Sequence, residues 1–169
     1  DSGLVRIRER QLVESIAPDD PGALAGLRSA YEDREGNLWL GSQWDGLVRF
    51  SDSWTRRYSS AEGLNDPIVW SVAPDPDGQR AWVGGNDGVS ILEDGRFNLS
   101  VPGSALPHPQ GYNLLAEEDR LWIGTRHGLV FVDHHGPRAG QVQQPPLLAP
   151  MADTQINGIV RDEDGRLWV

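Results

Sequence analysis

The chain has 169 residues, 38% of them apolar and 24% charged, with fifteen arginines, no lysine, no cysteine and a net charge of −10. That length supports one ordinary domain with a core. The missing residue types exclude disulfides, thiolate metal centres, thiol catalysis, a Schiff-base lysine and a Walker-type phosphate loop. The charge opposes binding to nucleic-acid phosphates or anionic membranes. No apolar run approaches the roughly 18 to 20 residues of a spanning helix, and residues 1–11 lack the basic start and apolar centre of a signal peptide.

In chain order, SGLVRI at residues 2–7 opens a strand-rich stretch to residue 16, and PGALAGL at 21–27 can form at most one helical turn. DREGNLWLG at 33–41 is an acidic turn feeding a strand, with Gly36 and Asn37 as the residues suited to positive backbone angles. The loop SQWDG at 42–46 leads into GLVRF, and WTRRYSS at 54–60 forms the next strand. A linker, AEGLNDP, runs over 61–67, and PIVWSVA at 67–73 begins the pattern again. DPDGQRAWVGG at 75–85 and DGVSIL at 87–92 follow, then the Pro- and Gly-rich linker VPGSALPHPQG at 101–111. EEDRLWIGT at 117–125, HGLVFV at 127–132 and DEDGRLWV at 162–169 complete the series.

These segments are one repeat. Trp39, Trp82, Trp122 and Trp168 are spaced by 43, 40 and 46 residues, and the Gly-Leu-Val type strand follows each complete Trp-x-Gly. Four short strands per unit of about 40 to 45 residues is the signature of a β-propeller blade. The fold class is therefore all-β, a propeller of four-stranded antiparallel blades with about four blade equivalents, and we expect it to be part of a larger propeller. The expected division is the end of a blade at 1–16, complete blades at 27–60, 67–100 and 112–144, and the first half of a blade at 156–169. The periodic tryptophans read as packing between sheets. Open blade edges at either end are an expected route to self-association.

The joint pattern EDREGNLWLGSQWDGLVRF followed by WTRRYSSAEGLNDPIVWSV resembles the two-component regulator propeller repeat. Two copies depart from it in their turns: AEEDRLWIG lacks the turn glycine and GQRAWVG carries an extra residue. The resemblance implies a periplasmic, ligand-sensing propeller of a signal-transduction receptor, coupled through a membrane helix to a histidine kinase or diguanylate cyclase outside this segment. It implies no enzyme activity, metal or cofactor in the segment itself. An alternative is a streptogramin-lyase-like enzyme, whose repeats share Asp-Gly-Asn-Leu-Trp turns but usually continue with Phe-Thr. Another is a protein-interaction scaffold.

The acidic turns at 33–37, 75–79 and 162–166 lack the ligand set of a calcium loop and read as hairpins. Asp133, His134 and His135 could supply zinc donors, but adjacent histidines on an extended chain point apart, so a solvated turn is expected there. No spacing predicts a catalytic triad. The promising rim joins the loops between second and third strands to the inter-blade linkers. Its candidate ligand-binding residues are Gln43, Trp44, Asp45, Asn86, Asp87, Tyr112, Arg126 and His127, with Asn65, Asp66, Gln110, Asn113, Gln155 and Asn157 around them. Trp44 stands out because the repeat does not demand it. An exposed indole can stack on a sugar ring or anchor a partner, so the expected ligand is an unidentified small molecule, with a saccharide as one candidate.

Overall fold

The computed structural model describes residues 4–8, 11–16, 26–44, 46–50, 55–76, 78–144 and 146–169, and among these described residues sixteen strands follow one another with no α-helix. Strands β1 (Leu4–Arg8) and β2 (Gln11–Ile16) pair as a two-stranded sheet. Three four-stranded meanders come next: β3 to β6 (Leu27–Glu32, Leu38–Ser42, Gly46–Phe50, Thr55–Tyr58), β7 to β10 (Val69–Pro74, Ala81–Gly85, Gly88–Glu93, Arg96–Pro102) and β11 to β14 (Asn113–Ala116, Arg120–Thr125, Gly128–Asp133, Val142–Gln143). The pair β15 (Val160–Arg161) and β16 (Leu167–Trp168) ends the series. Antiparallel sheets of this kind, stacked in chain order, are blades, and the described residues form part of a β-propeller.

Both faces of each complete sheet are apolar because each is sandwiched between neighbours. Along β4 and β5 the faces alternate: Leu38, Leu40, Val48 and Phe50 pack with Leu4 of the first sheet, while Trp39 and Leu47 pack with Val69, Val83 and Phe97 of the next. Trp82 lies in the following cluster with Leu121, Ile123 and Val130, and Trp122 in the last with Ile156 and Leu167. Each tryptophan thus faces the sheet after its own. Trp82 and Trp122 are 6% and 9% exposed, and Trp168 is 57% exposed. Val5 and Ile7 are likewise exposed at the opposite end.

Neighbouring sheets approach most closely through their first strands, β3 against β7 and β7 against β11, so these lie toward the axis. There the register slips between Leu27 and Ser29 in β3 and between Val69 and Ser71 in β7. Val69 and Val72 consequently pack in the same cluster although three residues apart, which strict alternation forbids. The extra residue, Arg28 or Trp70, is the unpaired member of a β-bulge, a device that re-aims a side chain. Gly41, Gly84 and Gly124 face these strands, and a Cβ on Gly84 would collide with the Gly111 carbonyl and Ser71 Oγ.

Several local expectations need correction. Asn37 does not take a positive φ; only Gly36 does, at 80°, while Asn37 is buried with its amide donating to both Asp33 oxygens. The first strand of the second sheet starts at Val69 rather than residue 67. The linkers are not featureless: 3₁₀ turns span Ser60–Glu62, Gly103–Ala105 and Pro146–Met151, the first closed by a capping box from Ser59 and Glu62. His134 is no solvated turn residue, since it stacks on Trp82 at 5.5 Å and its Nε2 is buried; His135 is exposed. Residues 21–25 and Trp54 lie outside the described residues.

Candidate functional site

The two ends of the blades are built differently. At one end lie the turns between first and second strands, where each acidic residue accepts the indole N–H of its own blade's tryptophan. The pairs are Asp33 with Trp39 (2.7 Å), Asp75 with Trp82 (3.0 Å), Glu117 with Trp122 (2.8 Å) and Asp162 with Trp168 (2.8 Å). Turn length and side-chain length compensate. The partners are six, seven, five and six residues apart, and the shortest spacing is the one that carries glutamate, whose extra methylene restores the reach. That turn has only Glu118 and Asp119 between mutually bonded Glu117 and Arg120.

Three of these carboxylates, Asp33, Glu117 and Asp162, are held below their ordinary pKa values. Burial pushes Asp33 upward, but donation from Trp39 and Asn37 outweighs it and leaves the group below the usual aspartate value. Burial also raises Glu117, and Arg161 together with Trp122 overrides that effect. Arg161 belongs to the next sheet and donates through Nη2 to Glu117 at 2.9 Å. Asp162 is lowered, first by the Trp168 indole.

The opposite end is the rim expected to carry recognition. The glycine after each second-to-third-strand loop donates its N–H to the linker entering the next blade: Gly46 to Pro67 (3.0 Å), Gly88 to Pro109 (2.8 Å) and Gly128 to Thr154 (2.9 Å). All three have positive φ, 73°, 106° and 103°, which a side chain would resist. Loops and linkers are thereby tied into one edge.

On the axis side of this edge, a file of side chains crosses three blades. The Arg28 guanidinium lies over the Trp70 ring at 5.2 Å, Trp70 packs on Tyr112 at 4.8 Å, and Arg126 lies 5.7 Å from the Tyr112 ring while donating to its hydroxyl at 3.2 Å. Register places Arg28 and Trp70 at one equivalent position, just before the residues opposite Gly41 and Gly84, and Tyr112 likewise stands just before Asn113, which pairs with Gly124. Asn86 Oδ1 holds the file by accepting from both the Trp70 indole and the Gln110 amide, each at 2.8 Å.

Of the residues singled out in the sequence, Asn86, Tyr112 and Arg126 are brought together, and Gln43 joins them by accepting from Arg28 Nη2. His127 sits beside them with its ring 5.2 Å from His108, whose pKa is lowered by burial and then by His127 and Arg126. Asp87 is exposed, and its carbonyl accepts from Asn65 and Gly103. Trp44 is 64% exposed, and its nearest tie is its own N–H on Ser42 Oγ. Asp45 lies outside the described residues. Sequence reading missed Arg28, Trp70 and His108. For Trp70 the available signal was an indole in a first strand, outside the blade period.

Fold and repeat together define the class: part of a β-propeller whose blades share one clamped end and one variable rim. No protein-family model matches the chain, and no curated protein matches it. Among solved structures it is similar to the extracellular domain of the hybrid two-component system BT3049 of B. thetaiotaomicron, with a TM-score of 0.76 at 20% identity over 99% of this chain and 24% of that one. It is also similar to PorZ, a surface component of the type-IX secretion system of Porphyromonas gingivalis (TM-score 0.68, 15% identity, 99% of this chain and 28% of that one). A third similar structure is virginiamycin B lyase of Staphylococcus aureus (TM-score 0.65, 15% identity, 95% and 53%). The chain therefore spans about a quarter of the first two, and at these identities the likeness is one of fold.

Proposed function

We propose that the chain is part of the extracytoplasmic, ligand-sensing propeller of a bacterial signal-transduction receptor, and that its rim receives the ligand at the Arg28–Trp70–Tyr112–Arg126 file. One observation carries the reading: a single backbone position, repeated in three sheets, holds arginine, tryptophan and tyrosine instead of one packing residue. Packing demands sameness at equivalent positions, as at the clamped tryptophans; recognition demands difference. The repeat's resemblance to two-component regulator propellers and the fold shared with the BT3049 extracellular domain support the receptor setting and the periplasm. Kinase or cyclase output belongs to parts of such a receptor outside these residues.

A small saccharide is the ligand class best matched by aromatic edges among amide donors and acceptors. The test is calorimetric titration of the chain with a panel of neutral and acidic oligosaccharides, repeated with Trp70→Ala and Tyr112→Ala. Binding that both substitutions weaken at least tenfold supports the rim. Binding that neither changes removes the rim from the reading.

A further inference from the structure

We infer that the ligand of this rim is anionic, its carboxylate, sulfate or phosphate group read by the guanidinium edges of Arg28 and Arg126. The inference rests on the rim reading above and adds the charge of the ligand to it. Its basis is a contrast among arginines. At the clamped end Arg80 meets Asp75 at 3.3 Å, Arg120 meets Asp133 at 2.8 Å, Arg166 meets Asp164 at 3.0 Å, and Arg161 meets Glu117. At the rim neither Arg28 nor Arg126 has a carboxylate partner among the described residues. Each spends one N–H on a neutral oxygen, Gln43 Oε1 for Arg28 and Tyr112 Oη for Arg126, and has an aromatic ring beside it, Trp70 at 5.2 Å and Tyr112 at 5.7 Å.

In a chain with 25 acidic and 15 basic side chains, two cations on one rim with no carboxylate partner among the described residues run against composition. A guanidinium with one N–H spent on a neutral oxygen keeps further in-plane N–H groups, the fork that takes a carboxylate or phosphate in two parallel hydrogen bonds. The nearby carboxylate of Asp66 is engaged, accepting from the Ile68 N–H at 2.7 Å. Asp87 Oδ1 lies against Gly103 in the linker. Neither is recorded in an ion pair with the two arginines. Trp70 and Tyr112 between them supply an apolar wall, so the ligand that fits carries its acidic group on a ring or short chain able to lie along that wall.

The test titrates the chain with three probes: digalacturonate, inorganic phosphate and neutral digalactose. Binding is followed by calorimetry and by the NMR signals of the Trp70 indole and the arginine Nε–H groups. The expected result is saturable binding of digalacturonate or phosphate that shifts those signals, weakens with added salt, and falls at least tenfold in the Arg28→Gln, Arg126→Gln double variant, with digalactose at least tenfold weaker. Digalactose binding as tightly as digalacturonate and persisting in the double variant overturns the anionic ligand while leaving the rim in place. No response to any probe also overturns it. Anion binding that survives both the double variant and Trp70→Ala overturns the inference and the rim together.

Discussion

The two ends of the blades use the same backbone repeat for opposite purposes. At the clamped end, four turns of differing length converge on one solution, an acidic side chain under an indole, and glutamate replaces aspartate where the turn is short by a residue. At the rim, one position repeated in three sheets, bulged in β3 and β7, carries three different side chains. Chemistry is kept at one end and varies at the other. Structural and recognition roles are thus separated along each strand rather than between domains.

The largest expected effect on that contrast comes from its structural half. Trp82→Ala removes an indole packed between two sheets, and urea unfolding should show a loss of about 3–5 kcal/mol. Asp75→Ala keeps the ring but leaves a buried indole N–H without its acceptor, for an expected loss of about 1–3 kcal/mol in the same measurement. A stability change under 0.5 kcal/mol, the range of ordinary surface substitutions, would show the clamp to be incidental.

This clamp was only half legible. The tryptophan period was plain, and so was the acidic turn, yet aspartate before glycine reads first as a turn former, which hid its bond to a ring five to seven residues on. The rim was less legible still. Tyr112, Asn86 and Arg126 lie in linker or loop, where polar residues draw notice. Trp70 lies inside an apolar strand, and only the register slip, which no local pattern announces, turns it onto the file. Arg28 was hidden in the same way.

Acid should separate the two ends next. The folded pKa values of Asp33 and Glu117 are depressed, so the stability they contribute is fully present above their ordinary values of 3.8 and 4.5 and is lost as pH falls through the lower folded values. Thermal melts from pH 6 down to about pH 2 should show this acid limb, and Glu117→Gln should flatten it. An unchanged slope would mean that the carboxylate is not held by Arg161 and Trp122. Trp70→Ala should leave the acid limb intact and cost less stability than Trp82→Ala, about 1–2 kcal/mol, because its ring is only partly buried. The smallest expected change belongs to Trp44→Ala. We expect it to weaken binding of a rim saccharide and to alter stability by less than about 0.5 kcal/mol, since the indole is mostly exposed. Unchanged affinity would confine recognition to the axis-side file.

Glu117 carries a consequence beyond its own turn. In a linear array of repeats, stability divides into terms internal to each unit and terms between nearest neighbours. Glu117 contributes to both at once, accepting from Trp122 of its own blade and from Arg161 of the next. Protonating that one oxygen pair therefore loosens a unit and its coupling together. The β11–β14 sheet and the β15–β16 pair should lose their coupling in acid before the sheets that precede them do.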